Sequence, residues 1–168
     1  GKEANDFVQL MKQKNISFDP TMHVFSGMFL LYPGDTDAAI KPIVSWMPTD
    51  EREDVAVKSS VAPISQKQTY VASFDKMMQM LKKLYDNNIL IVAGTDGGEA
   101  FALENELEMY VQAGIPPLRA LQCATYNAAK DCALENSYGV KANVPADFIL
   151  VDGDPGTNIS DIRRVEWV

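Results

Sequence analysis

Residues 89–96 read ILIVAGTD, and this stretch decides the fold class. Its first five residues form a continuous apolar run, and Gly97 and Gly98 follow Asp96. A short apolar run that is closed by turn residues is typical of a strand buried on both faces of a parallel sheet. Functional groups of parallel α/β folds cluster at the carboxyl ends of strands. The pattern therefore makes Asp96 the leading candidate for chemistry.

Regular structure is predicted on both sides of this strand. Residues 16–25 read as a second strand, although Pro20 interrupts it. Residues 26–72 have no sustained period and form a long loop, whereas residues 147–152 and 162–168 read as short strands. The order indicates βα units of a parallel α/β fold. Helical spacing predicts helices at about residues 3–14, 73–86, 100–113 and 117–133.

The hydrophobic pattern also predicts how these helices begin and which faces they bury. Ser73 is the predicted N-cap of the helix that follows it. In the helix at 100–113, the predicted inward residues are Leu103, Leu107 and Tyr110, and the predicted outward residues are Glu104, Glu106 and Glu108. In the helix at 117–133, the predicted inward residues are Leu118, Leu121, Ala124, Thr125 and Ala128.

Composition narrows the classes of partner. The net charge is −8, which argues against nucleic acid and anionic membranes because both attract basic surfaces. No apolar run approaches the roughly 20 residues that a bilayer crossing needs. Cys123 and Cys132 would lie on opposite faces of one helix, so no disulfide is expected between them. His23 is the only histidine, which excludes a self-contained histidine-based metal site.

Position alone leaves three interpretations of Asp96 open. Its carboxylate could act in chemistry, or it could cap the next helix or fix a turn, as aspartate often does. The turn GTDGG at residues 94–98 could also cradle a phosphate, although no lysine follows at P-loop spacing.

Five fragments in this order and spacing resemble the C-terminal third of the amidohydrolase superfamily, and in particular its imidazolonepropionase-like and prolidase-like branch. The resemblance covers residues 73–168 and extends more loosely to residues 15–25, which are similar to the seventh barrel strand. Two positions depart from the family pattern, since Glu104 stands where histidine is frequent and Asn143 where glycine is usual. The fragments are residues 91–96, 103–108, 113–116, 120–129 and 145–155.

The resemblance implies an α/β fold that is the C-terminal portion of a TIM-type (β/α)8 barrel. Residues 1–134 would supply the last two strand–helix units with the long loop 26–72. Residues 135–168 would supply strands of a small composite β-sandwich. Since a closed barrel needs roughly 200 residues or more, the chain is expected to be a fragment.

The resemblance also implies a metal-dependent hydrolase that cleaves a C–N bond of a peptide-like or cyclic amide. Asp96 matches the aspartate that ends the last barrel strand, and would be both metal ligand and catalytic proton carrier. The implied cofactor is a divalent metal, zinc, in the full-length enzyme. The family's histidine ligands lie upstream in relatives, so this chain alone is expected to bind no metal stably and to be inactive.

Three further residues are candidate substrate contacts. They are His23, near the end of the predicted second strand, and Thr95 and Gly97, which flank Asp96. An ordinary packed or exposed role stays open for His23. The aromatic residues Phe29, Tyr32, Trp46 and Tyr70 could form a lid over the substrate or a small core of their own.

The expected partners are a small-molecule amide or dipeptide-like substrate and the missing N-terminal barrel portion or another copy, with self-association. The expected location is soluble and bacterial-type, either cytoplasmic or periplasmic. Two other classes stay open: a non-catalytic assembly module that completes a barrel with another chain, and a small-molecule- or phosphate-binding α/β domain.

Overall fold

The computed structural model describes residues 1–52, 55–97, 100–134, 136–145 and 147–168. Seven α-helices and two strands lie in these ranges, with short 3-10 turns at Lys41–Trp46, Ile64–Gln66 and Ile159–Arg163. The helices are α1 (Lys2–Lys14), α2 (Met22–Leu30), α3 (Thr49–Arg52), α4 (Lys67–Asp86), α5 (Ala102–Gln112), α6 (Pro117–Ala124) and α7 (Tyr126–Asp131). The strands are β1 (Leu150–Val151) and β2 (Val165–Trp167).

Helix α1 confirms the first predicted helix. It ends where Asn15 adopts the left-handed conformation at φ 50°, and the Asn15 N–H bonds back to the last turn. Asparagine tolerates this conformation because its short side chain is polar and can bond locally. Val8 and Met11 are buried against the rest of the chain.

The apolar run pairs with the second predicted strand at a single point. Phe18 and Ile91 form an isolated parallel bridge, and within the described residues no longer parallel ladder forms. The Phe18 N–H donates to the Leu90 carbonyl at 2.8 Å, and the Val92 N–H donates to the Phe18 carbonyl at 3.0 Å. The parallel direction predicted for the two segments is therefore correct, but their length as strands is not.

The prediction of a strand at residues 16–25 is wrong beyond residue 20, because helix α2 begins at Met22. Pro20 has no N–H to donate to a ladder, and Thr21 turns into the left-handed region at φ 44°. The first N–H groups of α2 then bond to a carboxylate from α5. His23 therefore lies on a helix and not near the end of a strand.

The long loop is shorter than predicted. Helix α2 takes its first residues and α4 its last ones, so residues 31–66 remain as the connection. Ser73 is not an N-cap, since it lies inside α4 and its hydroxyl donates to the Thr69 carbonyl at 2.9 Å. Thr36 and Ala56 form an antiparallel bridge across the connection.

Three of the four aromatic residues in this region pack into the protein. Phe29 and Tyr70 meet edge to face with ring centroids 5.1 Å apart, and Tyr32 is buried beneath the Lys67 ammonium. Trp46, by contrast, is 87% exposed. Phe29 also packs against the main core, so these residues do not form a separate one, and of the four only Trp46 is a surface aromatic.

Helix α5 is rotated relative to the prediction. Leu107 and Tyr110 face inward as expected, but Leu103 is exposed and Glu106 is fully buried. Glu108 is also largely covered, because it pairs with Arg163. The prediction of outward-facing glutamates failed because hydrophobic periodicity assigns every carboxylate to the solvent face and takes no account of its partners.

The helix predicted at 117–133 is two helices, α6 and α7, with a break at Thr125 (φ −126°, ψ −94°). Leu118 is exposed, and the buried positions are Ala120, Cys123 and Ala129. Cys123 and Cys132 are both free thiols, so the predicted absence of a disulfide is correct in the described structure.

The C-terminal strands form a short antiparallel pair. Leu150 lies opposite Trp167 and Val151 opposite Val165, with an irregularity between the two pairs. Asn143 has φ 65°, so the turn at this position survives the change from glycine as expected. Residues 98, 135 and 146, which belong to the predicted turn, the predicted domain boundary and one matching fragment, lie outside the described residues. The division at 134/135 stays a prediction.

One hydrophobic core joins α1, α4, α5 and α6 around the bridge between Phe18 and Ile91. Among the described residues, no helix combines the length and the apolarity that a membrane crossing requires. The fully buried large side chains include Tyr110, Met22, Leu81, Leu84, Ile91, Leu107 and Ile115.

Candidate active site around Asp96

Asp96 lies at the exposed end of the apolar segment, with a carboxylate that no described hydrogen bond or ion pair engages. Its backbone is left-handed at φ 49°, a conformation that costs a non-glycine residue about 1 kcal/mol. Such outliers persist where the surroundings hold them, often at functional sites. The Asp96 side chain makes neither the helix cap nor the turn bond that its position had left open.

Asp96 neither caps the next helix nor fixes the turn. Helix α5 starts at Ala102 with Phe101 at its N-cap and has no side-chain cap. The turn is closed by Thr95, whose hydroxyl donates to the Gly97 carbonyl at 2.8 Å. The capping interpretation is therefore wrong in the described structure.

A cavity of about 200 Å³ lies beside Asp96. Its described lining carries two carboxylates and no lysine or arginine, so it disfavours an anion such as phosphate. Asp37 supplies the second carboxylate, and one of its oxygens accepts the Ala39 N–H at 2.7 Å. The lining residues are His23, Val24, Gly27, Met28, Asp37, Val61, Asp96 and Gly97.

Of the predicted substrate contacts, the structure brings His23 and Gly97 to this cavity together with Asp96. Thr95 is half-buried and is not among the lining residues, because its hydroxyl is turned back to the chain at Gly97. His23 is only 3% exposed and is therefore packed, and it also lines the cavity, so its role stays a prediction.

The backbone leading to Asp96 is held by Asp19. An Asp19 oxygen accepts the Gly94 N–H at 3.1 Å and the Thr21 N–H at 3.3 Å. A methyl group on Gly94 would overlap the Asp19 carboxylate, which would have to move, so glycine allows this close approach. Asp19 thus links the end of one parallel segment to the end of the other.

Three groups from helices fix the apolar segment from its other sides. The Tyr110 hydroxyl donates to the Val92 carbonyl at 3.1 Å, and the Asn127 amide donates to the Ile91 carbonyl at 2.8 Å. The Ala93 N–H donates to the Cys123 carbonyl at 3.1 Å. Burial raises the pKa of the Cys123 thiol to about 12, so this sulfur is a packed group and not a nucleophile.

A buried carboxylate lies behind the cavity wall. Glu106 is fully buried, and its two oxygens accept the N–H groups of Met22 (2.8 Å) and His23 (2.5 Å). Burial raises the pKa of Glu106, against the lowering effect of these hydrogen bonds and of Tyr110. Burial and the neighbouring Glu106 raise the pKa of Tyr110 in turn.

The cavity offers one suitable ligand for a metal ion. A carboxylate with no other partner is a suitable ligand for a divalent cation, and Asp96 is such a group. Within the described ranges, three or more histidine, cysteine or acidic side chains do not converge on one point. The residues described here would therefore hold a metal through Asp96 and depend on other ligands for the remaining positions.

Sequence reasoning missed Asp19, Asp37, Asn105 and Glu106. One signal was available: Glu106 and Tyr110 are four residues apart on a helix and so share a face. If Tyr110 faces the core, Glu106 must face it too. Asp19 and Asp37 carried no comparable signal, because their partners are distant in sequence or lie in irregular structure.

Comparison with known proteins shows the family of the chain. The sequence model of the Amidohydrolase family matches residues 3–167. Adenine deaminase 2 of Latilactobacillus sakei subsp. sakei (strain 23K) is 40% identical over 50 residues, which are 30% of this chain and 9% of that protein. A solved structure described as a Xaa-Pro dipeptidase with bound methionine in the active site is similar in fold, with a TM-score of 0.64 and 21% identity. The match covers 95% of this chain and 34% of the dipeptidase.

The chain belongs to the amidohydrolase family, since the family match spans nearly its whole length. It spans about a third of the dipeptidase and about a tenth of the deaminase. The similarity to the dipeptidase is one of fold.

Proposed function

We propose that this chain is the C-terminal part of a metal-dependent hydrolase with a TIM-type barrel, in which Asp96 is a metal ligand and the catalytic proton carrier. The observation that carries the proposal is the Asp96 carboxylate, which has no partner in the described structure and lines a cavity in a member of the amidohydrolase family. The absence of a helix cap or turn bond at Asp96 supports it.

The proposed reaction is hydrolysis of a C–N bond in a peptide-like or cyclic amide. A divalent metal, zinc by family resemblance, would supply an activated water when bound. The Asp96 carboxylate would be one of the groups that hold it, and would take up a proton and pass it to the leaving nitrogen. The names of the two similar proteins, a deaminase and a dipeptidase, both describe the breaking of a C–N bond.

A closed barrel would add one strand beside Phe18 and another beside Ile91, and the side beside Phe18 is the open one here. The Phe18 N–H and C=O both point to the apolar segment, so those of Ser17 and Asp19 point the other way. In the described residues these outward groups have no backbone partner. On the outward side of the apolar segment, Asn127 bonds to Ile91 and Cys123 bonds to Ala93, so a strand added there would replace these two bonds.

A groove of about 920 Å³ lies at the amino ends of the same two segments. Its walls include Ile16, which is 48% exposed, and Leu90, together with residues from α1, α4, α6 and α7. An open strand edge next to such a groove favours addition of another strand. This supports the view that further barrel strands, from the missing N-terminal portion or from another copy, pack here.

Metal titration tests the role of Asp96. Because one carboxylate is a weak site, we expect the 168-residue chain to bind zinc only weakly and to release neither ammonia from adenine nor an amino acid from Xaa-Pro dipeptides. Asp96→Asn should remove the residual binding measured by calorimetry. Asp75→Asn, which changes an exposed carboxylate on α4, is the matched control and should leave it unchanged. Equal zinc binding by wild type and Asp96→Asn would contradict the ligand role.

The open edge favours a second function, a non-catalytic assembly module that completes a barrel with another chain. Sedimentation distinguishes the oligomeric states, and we expect wild type to self-associate. Ser17→Pro removes an outward N–H and should weaken self-association, whereas Ser17→Ala keeps that N–H and should not. A wild-type chain that stays a compact monomer at high concentration would count against strand addition.

The phosphate-binding alternative has less support. The described cavity lining is acidic, and Gly98 of the predicted turn lies outside the described residues. Titration with inorganic phosphate is the direct test, and we expect no binding that depends on Asp96.

A further inference from the structure

Two consecutive residues of α5 reach the beginning of α2. Asn105 is 8% exposed and Glu106 is fully buried. The Glu106 oxygens bond to the main chain of Met22 and His23, and the Asn105 amide nitrogen lies 3.0 Å from the His23 ring nitrogen Nδ1. One turn of α5 therefore holds both the backbone and the ring of His23.

Glu106 replaces the N-cap side chain of α2. The first N–H groups of any helix lack partners inside the helix, and a side chain just before the helix often accepts from them. Thr21 stands at that position in α2 but makes no side-chain cap. A carboxylate 84 residues away from Met22 replaces it, and its negative charge is favoured by the helix dipole if it is ionised.

Asn105 fixes the chemistry of the ring. A side-chain amide nitrogen can only donate, so the Nδ1 atom that it meets must offer a lone pair. A neutral imidazole with a lone pair on Nδ1 carries its proton on Nε2. The lone pair on Nδ1 is also the one that a metal would need, and Asn105 already uses it.

We infer that Asn105 and Glu106 are a positioning pair that holds His23 on the cavity wall in the Nε2–H form. The inference rests on the proposed function only in taking this cavity as the active site. In this form His23 is a hydrogen-bond donor at Nε2 and not a metal ligand. Any group that Nε2 meets in this form is therefore an acceptor.

The single histidine makes the test direct. In the ¹⁵N-histidine-labelled 168-residue chain only one ring gives signals, and long-range ¹H–¹⁵N spectra report which nitrogen carries the proton. The measurement is made in alkaline buffer, where an ordinary imidazole is neutral. We expect the Nε2–H form in wild type. A wild-type ring protonated on Nδ1 would overturn the inference, because Asn105 would then have to accept through its oxygen.

Variants separate positioning from general stability. Asn105→Leu removes the donor at similar size and should shift the ring toward a mixture of the two neutral forms. Asn127→Leu is the matched control. It also removes a hydrogen bond from a half-buried side-chain amide, the one to the Ile91 carbonyl, but does not touch His23. Glu106→Gln should broaden the ring signals into more than one environment while the far-ultraviolet circular dichroism stays native. An unchanged ring spectrum in folded Asn105→Leu would overturn the inference.

The spectra need neither bound metal nor turnover. A failed zinc titration at Asp96 would thus leave the Nε2–H result standing as a statement about His23. Conversely, an Nδ1–H ring would remove the positioning role and leave the Asp96 proposal intact.

Discussion

Asp19 accepts the Gly94 N–H at 3.1 Å, and this bond joins the ends of the two parallel segments two residues before Asp96. The carboxylate lies so close to Gly94 that a side chain at residue 94 would have to displace it. The two residues are 75 positions apart in sequence, yet together they decide where the Asp96 backbone begins its turn.

The first prediction follows from this contact. Gly94→Ala should lower the free energy of unfolding by roughly 0.5–1.5 kcal/mol, because its methyl group must displace the exposed Asp19 carboxylate and break its bond to the Gly94 N–H. Urea unfolding followed by circular dichroism measures it. Gly27→Ala, inside helix α2, is the control. Its added carbon would lie 3.8 Å from an Asp37 oxygen, which is an ordinary contact distance. In an Asp19→Ala background the Gly94→Ala cost should shrink, and strictly additive costs would contradict a direct clash.

The second prediction concerns the two thiols. Cys123 is buried, with its pKa raised to about 12 by burial, whereas Cys132 is exposed. A thiol reagent at pH 8 should therefore label one site in the native chain and two in denaturant. Cys132→Ser should abolish native labelling, and Cys123→Ser should leave it unchanged. Rapid native labelling of the Cys132→Ser chain would show that the core around α6 opens.

The third prediction is a pH dependence that comes from Glu106. Burial raises its pKa above the ordinary 4.5, so between these two values the folded state binds a proton that the unfolded state has lost. The slope of stability with pH equals 2.303RT times the protons bound in the unfolded state minus those in the folded state, and is therefore negative. Glu106 should make the chain less stable as pH rises from 4.5 to its raised pKa, with no further change above it.

Glu106→Gln tests this slope. The variant cannot ionise, so its stability should lack this fall across the same window, measured as urea midpoints at several pH values. It also turns an amide donor toward one of the two N–H groups at the start of α2, so it should be less stable than wild type at low pH by roughly 1–3 kcal/mol. Parallel stability profiles for wild type and variant would show that Glu106 has no raised pKa.

The fourth prediction concerns the link between α5 and the C-terminal region. Arg163 bonds to both oxygens of Glu108 at 2.8 Å, and both side chains are 17% exposed. Burial would raise the pKa of Glu108, but the hydrogen bonds from Arg163 and Ser160 and the Arg163 charge together lower it. Glu108 therefore contributes stability above its ordinary pKa, and this contribution is lost as pH falls through the lowered value.

Breaking this pair should loosen residues 147–168. Glu108→Gln should destabilise the chain by roughly 2–4 kcal/mol, because it leaves the Arg163 charge covered and without its carboxylate. Faster hydrogen exchange at β1 and β2 is the measurement. Arg164→Ala is the control, since Arg164 is 54% exposed in its pair with Asp161 and should matter less. Equal exchange rates in Glu108→Gln and wild type would place the tether elsewhere.

Local patterns predicted most of the elements that have local causes. Helix α1 ends at Asn15 and α4 ends at Asp86, as the polar residues there indicated. Gly114 stops α5 with φ 98°, and Pro117 starts α6. In each case the signal and the structure that it produces lie within one or two turns of each other, so the chain itself carries the information.

Elements with distant causes were mispredicted. Residues 22–25 are mostly apolar, and their pattern is compatible with a strand. The two Glu106 oxygens accept the Met22 and His23 N–H groups, however, and this favours a helix that begins at Met22. Glu106 faces inward because it bonds to Met22 and His23, and Glu108 because it bonds to Arg163. None of these partners is a sequence neighbour. A periodicity rule treats every carboxylate as a solvent-facing group, so it could not place these two.

By itself, the sequence determined the family, the main helices and the position of Asp96 after an apolar segment, because these depend on short-range patterns and residue types. Only the tertiary structure decided that Asp96 caps nothing, that His23 stands on a helix beside the cavity, and that Glu106 is buried beneath it. These depend on hydrogen bonds between residues some 75 to 84 positions apart, which form only when the chain is folded.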